Sequence, residues 1–115
     1  MNYDLVVHVD LNDAGILGLA LNNIANYCAA LPDEKFRVRM VVNGPAVQLF
    51  RRATCPHAER ISELSAKGIT FALCANALRS FSVASEELLP SCEIIPAGIV
   101  ELIRLQREGF AYIKP

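Results

Sequence analysis

Hydrophobic positions along this chain switch repeatedly between a strand-like and a helix-like spacing. Asp4-Leu5-Val6-Val7-His8-Val9 is short and β-branched and reads as a first strand buried on both faces. Leu17, Leu21, Ile24, Cys28 and Leu31 then recur at helical spacing until Pro32 ends the helix. Phe36 to Val42 forms a second strand, stopped by Asn43-Gly44-Pro45. A short helix over Val47-Gln48-Leu49-Phe50-Arg51 breaks near Thr54-Cys55-Pro56. Another helix runs from His57 through Ile61 and Leu64 to Lys67, with Gly68 as its carboxyl cap.

The second half repeats the alternation. Ile69 to Cys74 is a third strand, Asn76 to Phe81 a helical piece, and Ser85 to Leu88 a further short helix. Glu93-Ile94-Ile95 is a fourth strand ended by Pro96. Ile99, Leu102, Ile103 and Leu105 give an amphipathic last helix that ends at Gly109, and Phe110 to Ile113 closes as a strand. Such alternation predicts an α/β fold: a three-layer single domain with a mostly parallel, roughly five-stranded sheet and helices on both faces. No repeat, linker or low-complexity segment interrupts it.

Composition narrows the function classes. A chain of 115 residues can bury roughly two-thirds of its unfolded surface. It is 53% hydrophobic with a mean hydropathy of +0.32, apolar for so small a monomer, and this predicts a homo-oligomer. Eleven Lys and Arg stand against 12 Asp and Glu, so charge balance argues against nucleic acid or an anionic membrane as partner. Met1-Asn2-Tyr3-Asp4 lacks the basic start of a signal peptide, and no apolar stretch reaches the length of a membrane span. The expectation is a cytoplasmic protein whose four cysteines stay reduced. Those cysteines (Cys28, Cys55, Cys74, Cys92) include no C-x-x-C pair, so neither a zinc ribbon nor a dithiol motif is expected. With no G-x-G-x-x-G or Walker sequence, no cofactor is expected either.

Cys74 is the residue with the most chemistry in its position. It closes the apolar run Gly68-Ile69-Thr70-Phe71-Ala72-Leu73-Cys74, directly before a helix, where first-turn N–H groups and the helix dipole favour a thiolate. In open α/β sheets the crevice beyond the strand carboxyl ends is also where ligands bind. The plainer reading is a small hydrophobe finishing a strand.

Other candidates cluster around that crevice. Asn76 is placed to cap the helix after Cys74. Arg79, about one turn further on, either holds an anion or is an exposed helix cation. Asn43 and Gly44 end the second strand, where Gly44 permits close backbone approach or a positive φ and Pro45 suits a first helical turn. Pro96-Ala97-Gly98 is the equivalent turn after the fourth strand. Asn12-Asp13 is placed to cap the first helix. His8 reads as a satisfied core histidine and His57 as a solvated side chain on a turn. Cys28 and Cys92 read as packing residues, and Cys55 as a loop thiol able to resolve a Cys74 disulfide only if the two approach. Arg51-Arg52 and Arg104 with Arg107 read as solvated or interface cations.

Three motifs in order carry a resemblance. They are Asn43-Gly44-Pro45-Ala46-Val47, then Gly68-Ile69-x-Phe71-x-x-Cys74-x-Asn76-x-Leu78. The third is the tail Ile95-Pro96-Ala97-Gly98-x-x-Glu101-Leu102-x-x-x-Gln106-x-x-Gly109-x-x-Tyr112-x-Lys114-Pro115. Together the chain resembles the DsrE/DsrF-like family over nearly its whole length. The resemblance implies a mainly parallel five-stranded sheet, assembly as trimers or hexamers, and intracellular sulfur trafficking with sulfur donor and acceptor proteins as partners. It implies that a single cysteine, here Cys74, carries sulfur as a persulfide, a reversible cap on a thiol. Two alternatives stay open: a small-anion or small-ligand binding module whose pocket Cys74 only lines, and a structural oligomer without thiol chemistry.

Overall fold

Five short strands lie side by side, all parallel, in the order β4-β3-β2-β1-β5. They are β1 (Leu5–Val9), β2 (Val38–Val42), β3 (Thr70–Cys74), β4 (Cys92–Ile95) and β5 (Ala111–Ile113), in a computed structural model that describes residues 1–115. Register places Leu5 beside Val38, Met40 beside Phe71, Cys74 beside Ile95 and Val6 beside Tyr112.

The strand order dictates the layers. From β1 to β4 the chain steps across the sheet in one direction, then crosses back to add β5 outside β1. Right-handed crossovers therefore put the first three connections on one face and the last on the other. The two cores follow that rule. On one face, α1 (Ala14–Ala30), a 3₁₀ helix (Gly44–Phe50), α2 (Ala58–Ala66) and α3 (Ala75–Ser80) enclose Val7, Val9, Leu17, Leu21, Ile24, Phe50, Ile61, Phe71 and Leu73. On the other, α4 (Gly98–Arg107) alone covers Val6, Val41, Ala72, Ile95, Leu102, Leu105 and Phe110. Helices lie on both faces as expected, but unequally.

Local chemistry sets the boundaries. Asp13 caps α1, its Oδ1 accepting the N–H groups of Gly15 (2.8 Å) and Ile16 (3.0 Å). Gly68 follows α2 at a φ of 99°, the left-handed geometry that ends a helix. The helix expected over Val47 to Arg51 is a 3₁₀ helix beginning at Gly44, because Pro45 starts it a turn earlier. His57 also departs from expectation: it is half-buried and its Nε2 lies 2.9 Å from the Ala14 carbonyl, tying α2 to α1. Gly18 makes room for that ring, since a Cβ there would sit 3.1 Å from Nε2.

Beneath α4, Glu101 is buried and takes Arg104 (2.7 Å) and Arg39 of β2 (3.0 Å), while Arg39 also reaches Glu93 (3.2 Å). The Arg104 hydrogen bonds, with Arg39 beside them, hold the Glu101 carboxyl below its ordinary range despite burial. Arg104 is thus a structural ion-pair partner. A cavity of ≈ 340 Å³ at this amino-end edge is lined by Arg37, Arg39, Arg104 and Glu108, and each of these arginines is paired with a carboxylate. No helix is long and apolar enough to cross a membrane.

Candidate functional site

Strands β3 and β4 are hydrogen-bonded neighbours, yet the chain leaves them in opposite directions. After β3 it enters α3 on the crowded face, and after β4 it enters α4 on the other. Neighbouring strands that part in this way leave a crevice beyond their carboxyl ends, the place where open α/β sheets bind ligands. Here the crevice has a volume of ≈ 520 Å³ and is lined by Ala75, Asn76, Arg79, Ile95, Pro96 and Ala97 among others. Cys74, joined to Ala75 and paired with Ile95, stands at its inner margin and is 6% exposed.

Gly98 brings the other turns to the same place. A Cβ at Gly98 would lie 3.0 Å from the Asn43 Cβ and 3.4 Å from the Cys74 Cβ. A side chain there would crowd the Asn43 Cβ and touch Cys74, so glycine fits the position best. Gly98 also begins α4, whose cap residue Ala97 offers no side-chain acceptor. The first bonded amide of the helix is that of Glu101, to the Ala97 carbonyl (3.1 Å). The open N–H groups and positive dipole end of a ten-residue helix therefore start near the Cys74 backbone.

Of the six residues singled out from the sequence, Asn76 and Arg79 line the crevice, Gly98 adjoins Asn43 and Cys74, and Gly44 turns against Asp10. Their roles differ in detail. Gly44 has a φ of 56° and a Cβ there would meet the Asp10 carbonyl at 3.2 Å, so positive φ and close backbone approach both apply. Asn76 does not cap α3: the helix begins at Ala75, Cys74 itself holds the cap position, and no side chain bonds the first turn. The Asn76 Oδ1 instead accepts from Arg79, an exposed cation at the crevice. The dipole expected from α3 comes from a helix of only six residues, whereas α4 is longer and its start contacts Cys74. Cys55 stands near Cys92. Its thiol acts electrostatically on Cys92, whose own thiol is pushed up to about 12 by burial first and by Cys55 second. Burial also raises the Cys28 and Cys55 thiols.

Sequence reading missed a second row of side chains. His8 Nε2 lies 2.8 Å from Asn43 Oδ1, and His8 Nδ1 lies 2.5 Å from the Tyr112 hydroxyl. With the carboxamide oxygen toward the ring, Nε2 donates and Nδ1 accepts from Tyr112; with the carboxamide turned over, both roles reverse. Further along, Lys114 Nζ meets Asp10 Oδ2 at 2.9 Å, and this hydrogen bond raises the lysine above its ordinary value. The tail residues Tyr112 and Lys114 thus fasten β5 to the carboxyl end of β1. The available signal was the alternation of β1, which puts His8 on the same face as Val6, beside Tyr112.

An all-parallel α/β sheet with a cysteine at its switch point defines a class of small crevice-bearing domains. The chain belongs to the DsrE/DsrF-like family, whose model matches residues 4–115. It is similar to the solved structure of a protein of unknown function, MTH1491 from Methanobacterium thermoautotrophicum. That pair shares 32% identity, 99% of this chain and 100% of the other are covered, and the TM-score is 0.91. The ychN protein from E. coli shares the fold, with 15% identity, full coverage of both chains and a TM-score of 0.79. No curated protein matches the chain.

Proposed function

We propose that this chain is a sulfur-relay protein that carries sulfane sulfur as a persulfide on Cys74. The observation that carries the reading is the placement of Cys74 at the β3/β4 switch point, against the open amino end of α4. Family membership supports it. In the step, the Cys74 thiolate attacks the outer sulfur of a donor persulfide, R–S–SH. A Cys74–sulfur bond forms, the donor S–S bond breaks, and the donor leaves as the thiolate R–S⁻ while the proton stays on the transferred sulfur. Reversal of the same exchange hands the sulfur to an acceptor thiolate. The four cysteines are free thiols, consistent with work in a reducing cytoplasm.

The test is intact mass after exposure of the reduced protein to glutathione persulfide, beside Cys74→Ser. Uptake of one sulfur by the native chain and none at that position in the variant is expected. Equal uptake by both removes Cys74 from the mechanism. The low exposure of Cys74 favours a second reading, in which the crevice holds a small anion and the thiol only lines it. Thermal stabilisation by sulfate or phosphate that survives Cys74→Ser, without sulfur uptake, would select that module.

We also propose self-association. Ile99, Val100 and Ile103 project exposed from α4, and Ile94 is exposed at the neighbouring crevice. A second copy of the chain meeting this patch with its own buries apolar surface on both sides in a closed assembly. A patch that meets its own copy makes a two-fold interface; the hexamer implied by the sequence resemblance can contain one, whereas the trimer needs a head-to-tail contact.

A further inference from the structure

Cys55 and Cys92 are a cluster of two thiols outside the crevice lining. Their chain segments are clasped together. Arg51 and Leu88 make an antiparallel bridge, the Leu89 amide donates to the Phe50 carbonyl (3.1 Å) and the Arg52 amide to the Glu87 carbonyl (2.7 Å). Each segment then folds back on this clasp. The Cys55 amide donates to the Arg51 carbonyl (2.8 Å) and the Cys92 amide to the Leu89 carbonyl (3.1 Å). Both side chains pack half-buried against the same core, close enough for the charge of one to act on the other. Cys28 packs against that core too, but the group acting on it is Lys67 and not a thiol.

The relay uses neither thiol of the cluster. Two neighbouring thiols left unbonded make a modification site, because oxidising one gives the other a sulfur to attack. Their surroundings order the steps. Burial raises both, but at Cys55 a hydrogen bond from the His57 backbone, at the amino end of α2, pulls the other way. Cys92 is pushed up to about 12, with Cys55 adding to its burial, and so keeps its proton the more firmly. We propose that Cys55 and Cys92 are a redox pair, separate from Cys74, that closes to a reversible disulfide when a hydroperoxide oxidises Cys55. With hydrogen peroxide, the Cys55 sulfur first attacks one oxygen. An S–O bond forms, the O–O bond breaks, and the departing hydroxide takes the thiol proton as water. The Cys92 sulfur then attacks the Cys55 sulfenic acid: the S–S bond forms, the S–O bond breaks, and a second water carries off the Cys92 proton. Two electrons pass from the thiols to the peroxide, and a reducing thiol restores the pair. The bond fastens β4, which begins at Cys92, to the turn before α2.

The experiment treats the reduced chain with hydrogen peroxide, caps remaining thiols with N-ethylmaleimide, and weighs tryptic peptides without reductant. Cleavage at Lys35, Arg52, Arg60, Lys67, Arg79 and Arg104 puts the four cysteines on four peptides, so a disulfide appears as two peptides joined. The expected product joins peptide 53–60 to peptide 80–104, within one chain. It is lost on adding dithiothreitol and forms equally in Cys74→Ser. Dimedone, which captures sulfenic acid, is expected to mark Cys55 in Cys92→Ser severalfold more than in the native chain, where Cys92 consumes that acid. Peptide 53–60 joined instead to peptide 68–79, which holds Cys74, overturns the pair. So does a linkage found only between two chains, or oxidation that leaves no joined peptides. Dimedone marking Cys92 in Cys55→Ser as strongly as Cys55 in Cys92→Ser overturns the order of the steps. The linkage is read on the native chain, so it decides the proposal even where Cys92→Ser does not fold.

Discussion

Gly98 concentrates the demands of the site in one α-carbon, since a Cβ there would stand 3.0 Å from the Asn43 Cβ and 3.4 Å from the Cys74 Cβ. Gly98→Ala forces one of them aside and is expected to cost about 1–3 kcal/mol in urea unfolding and to slow alkylation of Cys74. Unchanged stability and reactivity would mean that the three residues are not in contact. The other thiols give a second expectation at this scale. Cys92 is pushed up to about 12, mainly by burial, from an ordinary 9.0. A thiol held protonated in the folded state stabilises it fully below the unfolded value, and that contribution is lost as pH rises toward the folded value. Unfolding free energy is therefore expected to fall between 9.0 and about 12, with a shallower slope in Cys92→Ala. Gly44 and Gly98 were legible in the sequence because each lies in the turn after a strand, and Cys74 because it ends one. His8 and Tyr112 were not, because they are 104 residues apart and meet only through β1/β5 pairing. Asn76 misled because a capping residue type stood two positions past the cap, which Cys74 holds.

Among the elements, α4 bears the most weight, as the sole cover of its sheet face and the helix whose start adjoins Cys74. Its anchor to β2 is Glu101 between Arg104 and Arg39. Removing the carboxylate leaves Arg39 with only Glu93 as an acidic partner, so Glu101→Ala is expected to destabilise the fold by about 2–5 kcal/mol. The Glu101 carboxyl is held below its ordinary 4.5, first by hydrogen bonding to Arg104. Its stabilisation is present above 4.5 and is lost as pH falls through the lower folded value. Urea unfolding across the acid range checks both: a variant as stable as the native chain, with the same acid slope, contradicts the anchoring role. All five strands and the four α-helices could be read from hydrophobic period. Four strands were read a residue or two too wide, because apolar residues such as Phe36, Ile69 and Phe110 pack at strand ends without joining the ladder, and β4 was read one residue too short, since Cys92 joins it. That Glu101 would be buried was not legible. Its partner Arg39 sits on a strand 62 positions earlier.

The whole molecule is lopsided, and this asymmetry links assembly to the site. Three connections crowd one face, while α4 alone guards the other and leaves Ile99, Val100 and Ile103 exposed. Ile103→Asp is expected to lower the mass measured by light scattering on a sizing column to that of one chain. A native chain that already elutes as a monomer removes the self-association proposal. High apolar content made that surplus legible in the sequence, but its location depended on the direction of the last crossover. The central claim is that sulfur resides on Cys74, and one measurement tests it most directly. Reduced protein is given glutathione persulfide, the thiols are capped, and tandem mass spectrometry locates the added sulfur among Cys28, Cys55, Cys74 and Cys92. Sulfur found on Cys74 and lost on adding an acceptor thiol is the expected result; sulfur spread over the other three cysteines, with Cys74 bare, would contradict the account.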